Sequence, residues 1–301
     1  MEGLDWIAAD WGTSHLRVWL MRADGTVLDR RSSTDGMGGL ARAGFEPALR
    51  ALLPELPKGA RVPVVICGMA GSRQGWIEAP YVAVPAPPPK GDSAATPGVA
   101  RDDLAVFILP GMKQAQPADV MRGEETQVAG FMALNPRFDG VICLPGTHSK
   151  WVHVSAGEVV SFRTFLTGEV FALLAGQSVL RHSVAGEGWD RAAFAAGVER
   201  GLARPAAVAG DLFSLRAEAL LEGLDPVVAR SRLSGLLIGM ELGAARPYWL
   251  GQNLAVLGAR GIAGAYRDAL EAQGLPVLVA DADRMTLEGL KAAYASLTVQ
   301  A

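Results

Sequence analysis

The chain contains the same strand–turn–strand pattern twice. In the first copy an apolar run at 7–9 leads into DWGTS at 10–14, and in the second a run at 141–144 leads into PGTHSK at 145–150. Each copy predicts an apolar strand, a tight Gly-Thr turn, a second strand, a glycine turn and a third strand. This duplication predicts an α/β protein of two similar lobes, each in the order β-β-β-α-β-α.

The repeated Gly-Thr turn has a chemical consequence. Glycine has no Cβ, so the backbone can approach a phosphate closely. Backbone N–H groups in such a turn form an anion-binding nest, to which a Thr or Ser hydroxyl adds a donor. A single Gly-Thr turn is common in structural hairpins, and two unrelated hairpins are the alternative here. Two matching copies favour a nucleotide site, with these candidate residues: Gly12, Thr13, Ser14, Gly146, Thr147, His148 and Lys150.

Hydrophobic periodicity and the positions of Gly and Pro divide the rest of the chain into elements. In the first half we expect a helix at 45–53, strands at 62–67, 81–84 and 104–109, and a helix over 119–134. Past residue 160 we expect helices at 166–180, 191–202 and 231–245, a strand at 254–257 followed by a helix to about 271, a strand at 277–280 and a helix at 287–297. The glycine-spaced loop 68–76 directly follows a strand, where open α/β sheets place ligands.

Composition limits the class of protein. The 301 residues are 50% hydrophobic and 20% charged, which is typical of a globular enzyme of two lobes. The net charge of −3 gives no argument for a nucleic-acid or membrane partner. Glu2 and Asp5 stand where a signal peptide carries positive charge, and no apolar run approaches the ~18 residues of a membrane helix. We therefore expect a cytoplasmic protein, with Cys67 and Cys143 as buried, reduced thiols.

Four segments resemble the 2-dehydro-3-deoxygalactonokinase family, within the sugar kinase, Hsp70 and actin superfamily. They are DWGTS at 10–14, GMAGSR at 68–73, MRGEETQ at 121–127 and LPGTHSKW at 144–151. The resemblance implies an actin-like ATPase fold of two ribonuclease-H-like lobes, 1–122 and 123–301, with an interlobe cleft. It also implies transfer of the ATP γ-phosphoryl group to the 6-hydroxyl of 2-dehydro-3-deoxy-D-galactonate. ATP and Mg²⁺ would be the cofactors, and a homodimer is compatible with the sequence.

Three carboxylates are candidates for the chemistry. Asp10 ends a buried strand beside a glycine turn, where a carboxylate needs a cation such as Mg²⁺, or else hydrogen bonds from Gly12 or Thr13. The second turn has Pro145 at the matching place, so the two copies are not equivalent. Glu124 and Glu125 start a helix, where the helix dipole favours acids whatever their function. Superfamily relatives place a general base at such a helix start, and by spacing Glu125 is the first candidate.

The substrate implied by the resemblance carries a carboxylate, which a planar guanidinium matches through two parallel hydrogen bonds. Arg73, with Ser72 beside it in the loop 68–76, is the first candidate for this contact, and Arg163 and Arg17 follow. An arginine is more often a simple surface residue. Gly258 and Gly261, between a strand and a helix, are candidates for the adenosine side, although such a pair often serves only close packing.

Two other functions remain open from the residues alone. One is a phosphohydrolase of the exopolyphosphatase type, which shares the fold and a Gly-x-Glu-Glu helix start. A polyphosphate cleft is expected to be basic, whereas this chain has 28 Lys and Arg residues against 31 Asp and Glu residues. The other is a non-catalytic nucleotide-binding sensor or filament protein. Asp10 and Glu125 disfavour that second alternative, since a sensor has no need of a catalytic pair.

Overall fold

The structure is a computed structural model that describes residues 3–56 and 59–298. It divides the chain into two compact units. The first comprises Met1–Phe138, Val154–Ser161 and Ala282–Ala301, and the second comprises Asp139–His153 and Phe162–Asp281. Each unit is described by itself below.

The elements up to residue 138 are mostly strands. They are β1 (Trp6–Trp11), β2 (Leu16–Met21), β3 (Val27–Ser33), α1 (Phe45–Ala51), β4 (Val62–Gly68), β5 (Tyr81–Ala83), β6 (Leu104–Ile108), β7 (Gly111–Gln114), β8 (Asp119–Met121) and α2 (Glu124–Leu134).

The elements after residue 138 are richer in helix. They are β9 (Gly140–Leu144), β10 (Ser149–Ser155), β11 (Glu158–Phe165), α3 (Thr167–Gln177), α4 (Arg191–Ala203), α5 (Val208–Leu221), α6 (Pro226–Ala244), α7 (Arg246–Trp249), β12 (Leu254–Gly258), α8 (Arg260–Glu271), β13 (Val277–Asp281) and α9 (Ala282–Thr298). Across the described ranges, no helix combines the length and the apolar character needed to cross a membrane.

The two main sheets have the same strand order. One is β3-β2-β1-β4-β6 and the other is β11-β10-β9-β12-β13. In the first, β1 pairs antiparallel with β2 and parallel with β4. In the second, β12 pairs parallel with both β9 and β13. The predicted duplication and the predicted α/β class are therefore confirmed, while the cleft implied by the resemblance stays a prediction.

Strand β1 shows how the first sheet is built. Side chains alternate between the two faces of a strand, and β1 is buried on both. Trp11 packs on Phe45 of α1 on one face, with ring centroids 4.9 Å apart. On the other face Trp6 stacks on Tyr294 of α9, with centroids 4.3 Å apart. The same alternation places Asp10 on the Trp6 face, so a carboxylate lies at the end of an otherwise apolar row.

Glycines allow α2 and α9 to pack with their backbones almost in contact. A Cβ on Gly130 of α2 would lie 1.9 Å from the carbonyl oxygen of Met285, and a Cβ on Gly289 of α9 would lie 2.0 Å from that of Thr126. Helices α4 and α6 of the second unit pack in the same way, through four glycines whose added Cβ atoms would lie 2.2–2.6 Å from the facing backbone: Gly197, Gly201, Gly235 and Gly239.

The predicted element order was wrong in several places. Strand β7, at Gly111–Gln114, was not predicted. Residues 119–121 form strand β8 instead of the start of a helix, and α2 begins only at Glu124. Gly123 has φ of +108°, which breaks the helical path directly before Glu124. Helix α5, at Val208–Leu221, was missed entirely, and its many exposed apolar residues obscure the helical period: Phe213, Leu220 and Leu221.

The contacts group the chain differently from the predicted lobes 1–122 and 123–301. Helix α2 lies beyond residue 122 but belongs to the first unit, as does the C-terminal helix α9. The reason is the close packing of these two helices on each other and of α9 on β1. A boundary inferred from linear order cannot include a C-terminal helix that returns to the first sheet. The boundary between the two predicted lobes, at residues 122 and 123, stays a prediction.

The α2–α9 contact can be tested with Gly289→Ala. We expect the free energy of unfolding to fall by about 1–3 kcal/mol, because the added methyl group has no space against the Thr126 carbonyl. Gly210→Ala in α5 is the control, since its Cβ would meet no atom within 4 Å. That variant should gain up to about 1 kcal/mol from helix propensity. Urea denaturation measures both, and equal stability of the two variants would contradict this packing.

Candidate active site

The carboxyl ends of β1 and β4 and the start of α2 meet at one edge of the first sheet. Asp10 pairs in register with Cys67, and Trp11 with Gly68. A Cβ on Gly68 would lie 3.4 Å from Asp10 Oδ1, and one on Gly123 would lie 3.4 Å from Gly68 Cα. This edge is where open α/β sheets bind ligands. We call it the carboxylate edge.

Asp10 is held by an arginine at this edge. Its carboxylate forms an ion pair with Arg17 of β2, and its Oδ1 lies 3.8 Å from the Cys67 sulfur. Arg17 also pairs with Asp283 at the start of α9. Burial raises the pKa of Asp10, and the Arg17 charge only partly offsets this. The Asp10 carboxylate therefore has one cationic neighbour, which it shares with a second carboxylate.

The alternative expectation for Asp10, hydrogen bonds from the turn, is wrong for Gly12. The Gly12 N–H donates instead to the carbonyl of His15, at 2.9 Å, and so closes the turn. Arg17 supplies one positive charge beside Asp10, which offsets the effect of burial only in part. Arg17 was expected as a substrate contact, and this structure engages it in two ion pairs instead.

Glu125 is a buried carboxylate in the first turn of α2, with 1% of its surface exposed. Both of its oxygens accept a hydrogen bond from the Gly123 N–H, at 2.8 Å. Burial, and then the neighbouring Glu124, raise the pKa of Glu125 to about 7. A carboxyl group with this pKa changes its charge near neutral pH, which suits a general base. Glu124 differs, because it is only partly buried and accepts from the Arg122 N–H at 3.0 Å.

Cys67 connects the two carboxylates. It is fully buried, and the pKa of its thiol is raised well above the ordinary value by burial and then by the charges of Asp10 and Glu125. The thiol is therefore neutral. The thiol lies near both acids at the carboxylate edge. Cys67 is buried and forms no disulfide, as the sequence predicts. The carboxylate edge thus brings together two of the predicted catalytic residues, Asp10 and Glu125.

The first Gly-Thr turn is exposed at its tip and supported from behind. Thr13 and Ser14 are exposed. The Thr13 carbonyl accepts from the Gly38 N–H at 2.9 Å, and a Cβ on Gly36 would lie 2.3 Å from that same carbonyl oxygen. The loop at 36–38 therefore packs directly against the turn and holds its backbone in place.

The second Gly-Thr turn borders a cavity of about 510 Å³ in the second unit. Gly146 lines this cavity together with Gly261 at the start of α8, and a Cβ on either glycine would meet no atom within 4 Å. Other lining residues are Thr167, Phe171, Trp189, Arg230, Tyr266 and Asp268. A mostly apolar cavity with a few polar groups is typical of a small-molecule site. We call it the turn cavity.

Helix α3 supports the second turn. The Glu169 N–H donates to the Thr147 carbonyl at 2.9 Å, and His148 Nε2 lies 2.6 Å from Glu169 Oε2. Two predicted nucleotide contacts lie elsewhere. Lys150 is a strand residue with 4% of its surface exposed, and Gly258 packs close to Pro145, where an added Cβ would lie 3.2 Å from Cγ. Neither is among the residues that line the turn cavity.

The arginine candidates differ in their surroundings. Arg73 has 81% of its side chain exposed, and its Nε lies 3.4 Å from a Glu78 oxygen. Arg163 is exposed on β11. Ser72 is buried, and no hydrogen-bond partner for its hydroxyl exists in the part of the chain that the structure describes. Arg17 contacts the carboxylate edge through its ion pair with Asp10.

Sequence reasoning missed the role of Arg122. This side chain is buried, donates from Nη2 to the Ala79 carbonyl at 2.9 Å and lies over the Tyr81 ring at 4.2 Å. Within the described ranges its Nη1 has no hydrogen-bond partner. Arg122 thereby ties the chain directly before Gly123 and Glu125 to the segment 79–81. The signal was available, because Arg122 is part of the segment 121–127 that carries the resemblance.

Known proteins match this chain over nearly its whole length. A family model described as 2-keto-3-deoxy-galactonokinase matches residues 10–293. A protein of Rhizobium meliloti strain 1021 assigned as 2-dehydro-3-deoxygalactonokinase is 43% identical, with 95% of each chain covered. The 2-dehydro-3-deoxygalactonokinase of Escherichia coli strain K12 is 36% identical, with 95% of this chain and 96% of that one covered.

Solved structures agree with these relatives. A crystal structure from Sinorhizobium meliloti assigned to 2-dehydro-3-deoxygalactonokinase has a TM-score of 0.90 and 40% identity, covering 97% of this chain and 99% of that one. Component A of (R)-2-hydroxyglutaryl-CoA dehydratase from Acidaminococcus fermentans has a TM-score of 0.55 at 12% identity, over 98% and 99% of the two chains, and shares the fold alone. The chain belongs to the 2-keto-3-deoxy-galactonokinase family.

Proposed function

We propose that this protein transfers the γ-phosphoryl group of ATP to the 6-hydroxyl of 2-dehydro-3-deoxy-D-galactonate. Membership of the family over nearly the whole chain supports this function. The single observation that carries it is the buried Glu125 carboxyl, with its pKa of about 7, at the same edge as Asp10. The same membership does not favour the phosphohydrolase or the non-catalytic sensor. The reactants are small molecules, and the need for ATP suggests a cytoplasmic reaction.

Glu125 is the proposed general base. The 6-hydroxyl gives its proton to the Glu125 carboxylate while its oxygen forms a bond to the γ-phosphorus. The bond from that phosphorus to the bridging oxygen breaks, and ADP leaves. Phosphoryl transfer requires little covalent work from the protein, so one base that also orients the hydroxyl suffices. The Gly123 N–H fixes the carboxylate for this task, and Glu124 stays the second candidate.

Asp10 is the proposed contact for magnesium. Among the described residues no three His, Cys, Asp or Glu side chains form a metal cluster. Mg²⁺ needs no such cluster, since it is usually held by one or two carboxylates, phosphate oxygens and water. Asp10 fits this role because Arg17, its cationic neighbour, is shared with Asp283. When bound, the ion would neutralise charge on the transferred phosphate.

The proposed ATP contacts come from both Gly-Thr turns. Thr13 and Ser14 present exposed backbone and hydroxyl groups on the first turn. On the second turn, Gly146 lines the turn cavity, which we propose takes the nucleoside with Gly261 in its wall. Thr147, the next residue of the turn, is the proposed phosphate contact. The structure gives less support to Lys150 and Gly258, because Lys150 is buried in β10 and Gly258 packs on Pro145.

For the substrate carboxylate, Arg73 remains the first proposal and Arg163 the second. Arg73 lies on the loop after β4, and its contact with Glu78 is long and exposed, so little energy opposes its movement. Arg17 is less suitable, since two carboxylates already occupy its guanidinium. Ser72, beside Arg73, is a weaker proposal, because its hydroxyl is buried and has no hydrogen-bond partner among the described residues.

The function can be tested with a coupled ADP-release assay on a panel of acceptors. We expect ATP-dependent phosphorylation of 2-dehydro-3-deoxy-D-galactonate, and little activity on glucose or glycerol, which lack the carboxylate. Mass spectrometry of the product locates the phosphate on the 6-hydroxyl. Equal activity on neutral sugars would contradict the sugar-acid assignment, and ATP hydrolysis without a phosphorylated product would contradict the kinase assignment.

Glu125→Gln should lower kcat by about 10²–10⁴-fold with little change in KM, because it removes the base and keeps the side-chain volume. A base must be deprotonated to act, and Glu125 is protonated below its pKa of about 7. The wild-type rate should therefore fall about tenfold for each pH unit below that value. Glu124→Gln is the matched control. A larger loss in the control would assign the base to Glu124.

Gly146→Val should strongly raise the KM for ATP. An added Cβ meets no protein atom within 4 Å at this position in the wall of the turn cavity, so we expect the side chain to obstruct the ligand without disturbing the fold. Gly98→Val is the control, because Gly98 also has open space at its Cβ but does not line the cavity. Unchanged ATP kinetics in Gly146→Val, at wild-type thermal stability, would exclude this turn from the nucleotide site.

A further inference from the structure

Glu241 on α6 is a buried carboxylate that the proposed chemistry does not use. It accepts hydrogen bonds from Trp151 Nε1 at 2.8 Å and from the Tyr266 hydroxyl at 2.7 Å. The Thr167 side chain also hydrogen-bonds to it. The Ser149 side chain is a fourth hydrogen-bonding neighbour, and all four groups are neutral. Burying a carboxylate among neutral groups is costly, and the cost is recovered only when its oxygens are well satisfied.

The donors come from the elements that build the turn cavity. Thr167 begins α3, Tyr266 lies in α8, and both line the cavity. Trp151 belongs to β10, the strand that follows the second Gly-Thr turn, and lies outside the cavity. Ser149 of the same strand shares a hydrogen bond of 2.9 Å with the Tyr266 hydroxyl. Glu241 therefore joins a strand and two helices at one point behind the cavity wall.

The link continues from Thr167 to the turn itself. A Cβ on the neighbouring Gly168 would lie 2.2 Å from the carbonyl oxygen of Gly146, so the two backbones are in direct contact. The Glu169 N–H holds the next carbonyl, that of Thr147, at 2.9 Å. A shift of Thr167 would therefore move the start of α3 and, with it, the backbone of the second Gly-Thr turn.

Only an ionised carboxylate suits this position. It accepts through two oxygens with about four acceptor sites, so it can serve several donors at once. A glutamine in its place has one accepting oxygen and an NH₂ group that would face a donor. At least one of the partners would then lose its acceptor or rotate. The geometry of the cavity wall thus depends on the charge of Glu241 as well as on its size.

We propose that Glu241 is a positioning residue for ATP, which fixes Thr167 and Tyr266 in the wall of the turn cavity and, through Gly168, the backbone of Gly146. Glu241 touches no substrate in this proposal and acts through these neighbours. The inference rests on the proposed use of the turn cavity by ATP.

Glu241→Gln tests the inference. We expect the KM for ATP to rise about tenfold, the equivalent of one or two lost buried hydrogen bonds. The KM for the sugar acid and the kcat at saturating ATP should stay near the wild-type values. Calorimetric titration with a non-hydrolysable ATP analogue should show the same loss of affinity without turnover. A merely structural role would instead lower the melting temperature and leave ATP affinity unchanged.

Trp151→Phe is the matched control. It removes another donor to the same carboxylate, but one that lies outside the cavity. It should lower thermal stability and keep ATP affinity. If it weakens ATP binding as much as Glu241→Gln does, the effect is a general loosening of the unit and the inference is overturned.

Two further variants keep the test decisive if Glu241→Gln does not fold. Thr167→Val and Tyr266→Phe each remove one hydroxyl that bonds to Glu241, with little change in volume. Each should weaken binding of the ATP analogue, and the double variant should lose less than the sum, because both act through one carboxylate. Unchanged affinity in both overturns the inference. Failure of the wild-type enzyme to phosphorylate the sugar acid, with normal binding of the analogue, would overturn the proposed function alone.

Discussion

The contact between α2 and α9 is the constraint on which the carboxylate edge depends. With Gly130 and Gly289 at the crossing, the two helix backbones approach so closely that neither helix can slide or rotate without a clash. This contact holds the start of α2, and so the Glu125 carboxyl, against the ends of β1 and β4. It also places Asp283, at the start of α9, beside Arg17. The position of the proposed base thus follows from close backbone packing at two glycines.

Three buried carboxylates in this protein are satisfied in three ways. Asp10 has a guanidinium, Glu125 has the Gly123 N–H and a longer contact from the Thr126 hydroxyl, and Glu241 has several neutral side-chain donors. Burial raises the pKa of all three. Their surroundings fit different tasks. Because Asp10 shares its guanidinium with Asp283, its carboxylate can still bind a metal ion. Burial beside Glu124 lets Glu125 exchange a proton near neutral pH. The several donors around Glu241 make it suited to holding its neighbours in place.

The sequence predicted much of the fold because the signals were local. The repeated DWGTS and PGTHSK turns lie between strands that bury both faces, so their order and approximate bounds follow from residue pattern alone. The predictions were wrong where a local pattern was ambiguous. Residues 119–121 continue an apolar pattern into α2, yet Gly123 at φ +108° separates them from it. Helix α5 exposes too many apolar side chains for its period to be recognised.

The sequence by itself determined the duplicated α/β architecture, the two Gly-Thr turns, the acids at positions 10 and 125, and membership of the family. Short segments carry these features, and their spacing and residue types are sufficient to predict them. Only the tertiary structure decided that Arg17 pairs with Asp10, that Arg122 is buried beside the start of α2, and that Gly146 and Gly261 share one cavity. It also decided that α9 completes the first unit. Contacts of this kind join residues far apart in the chain, and they arise from packing geometry that no local pattern records.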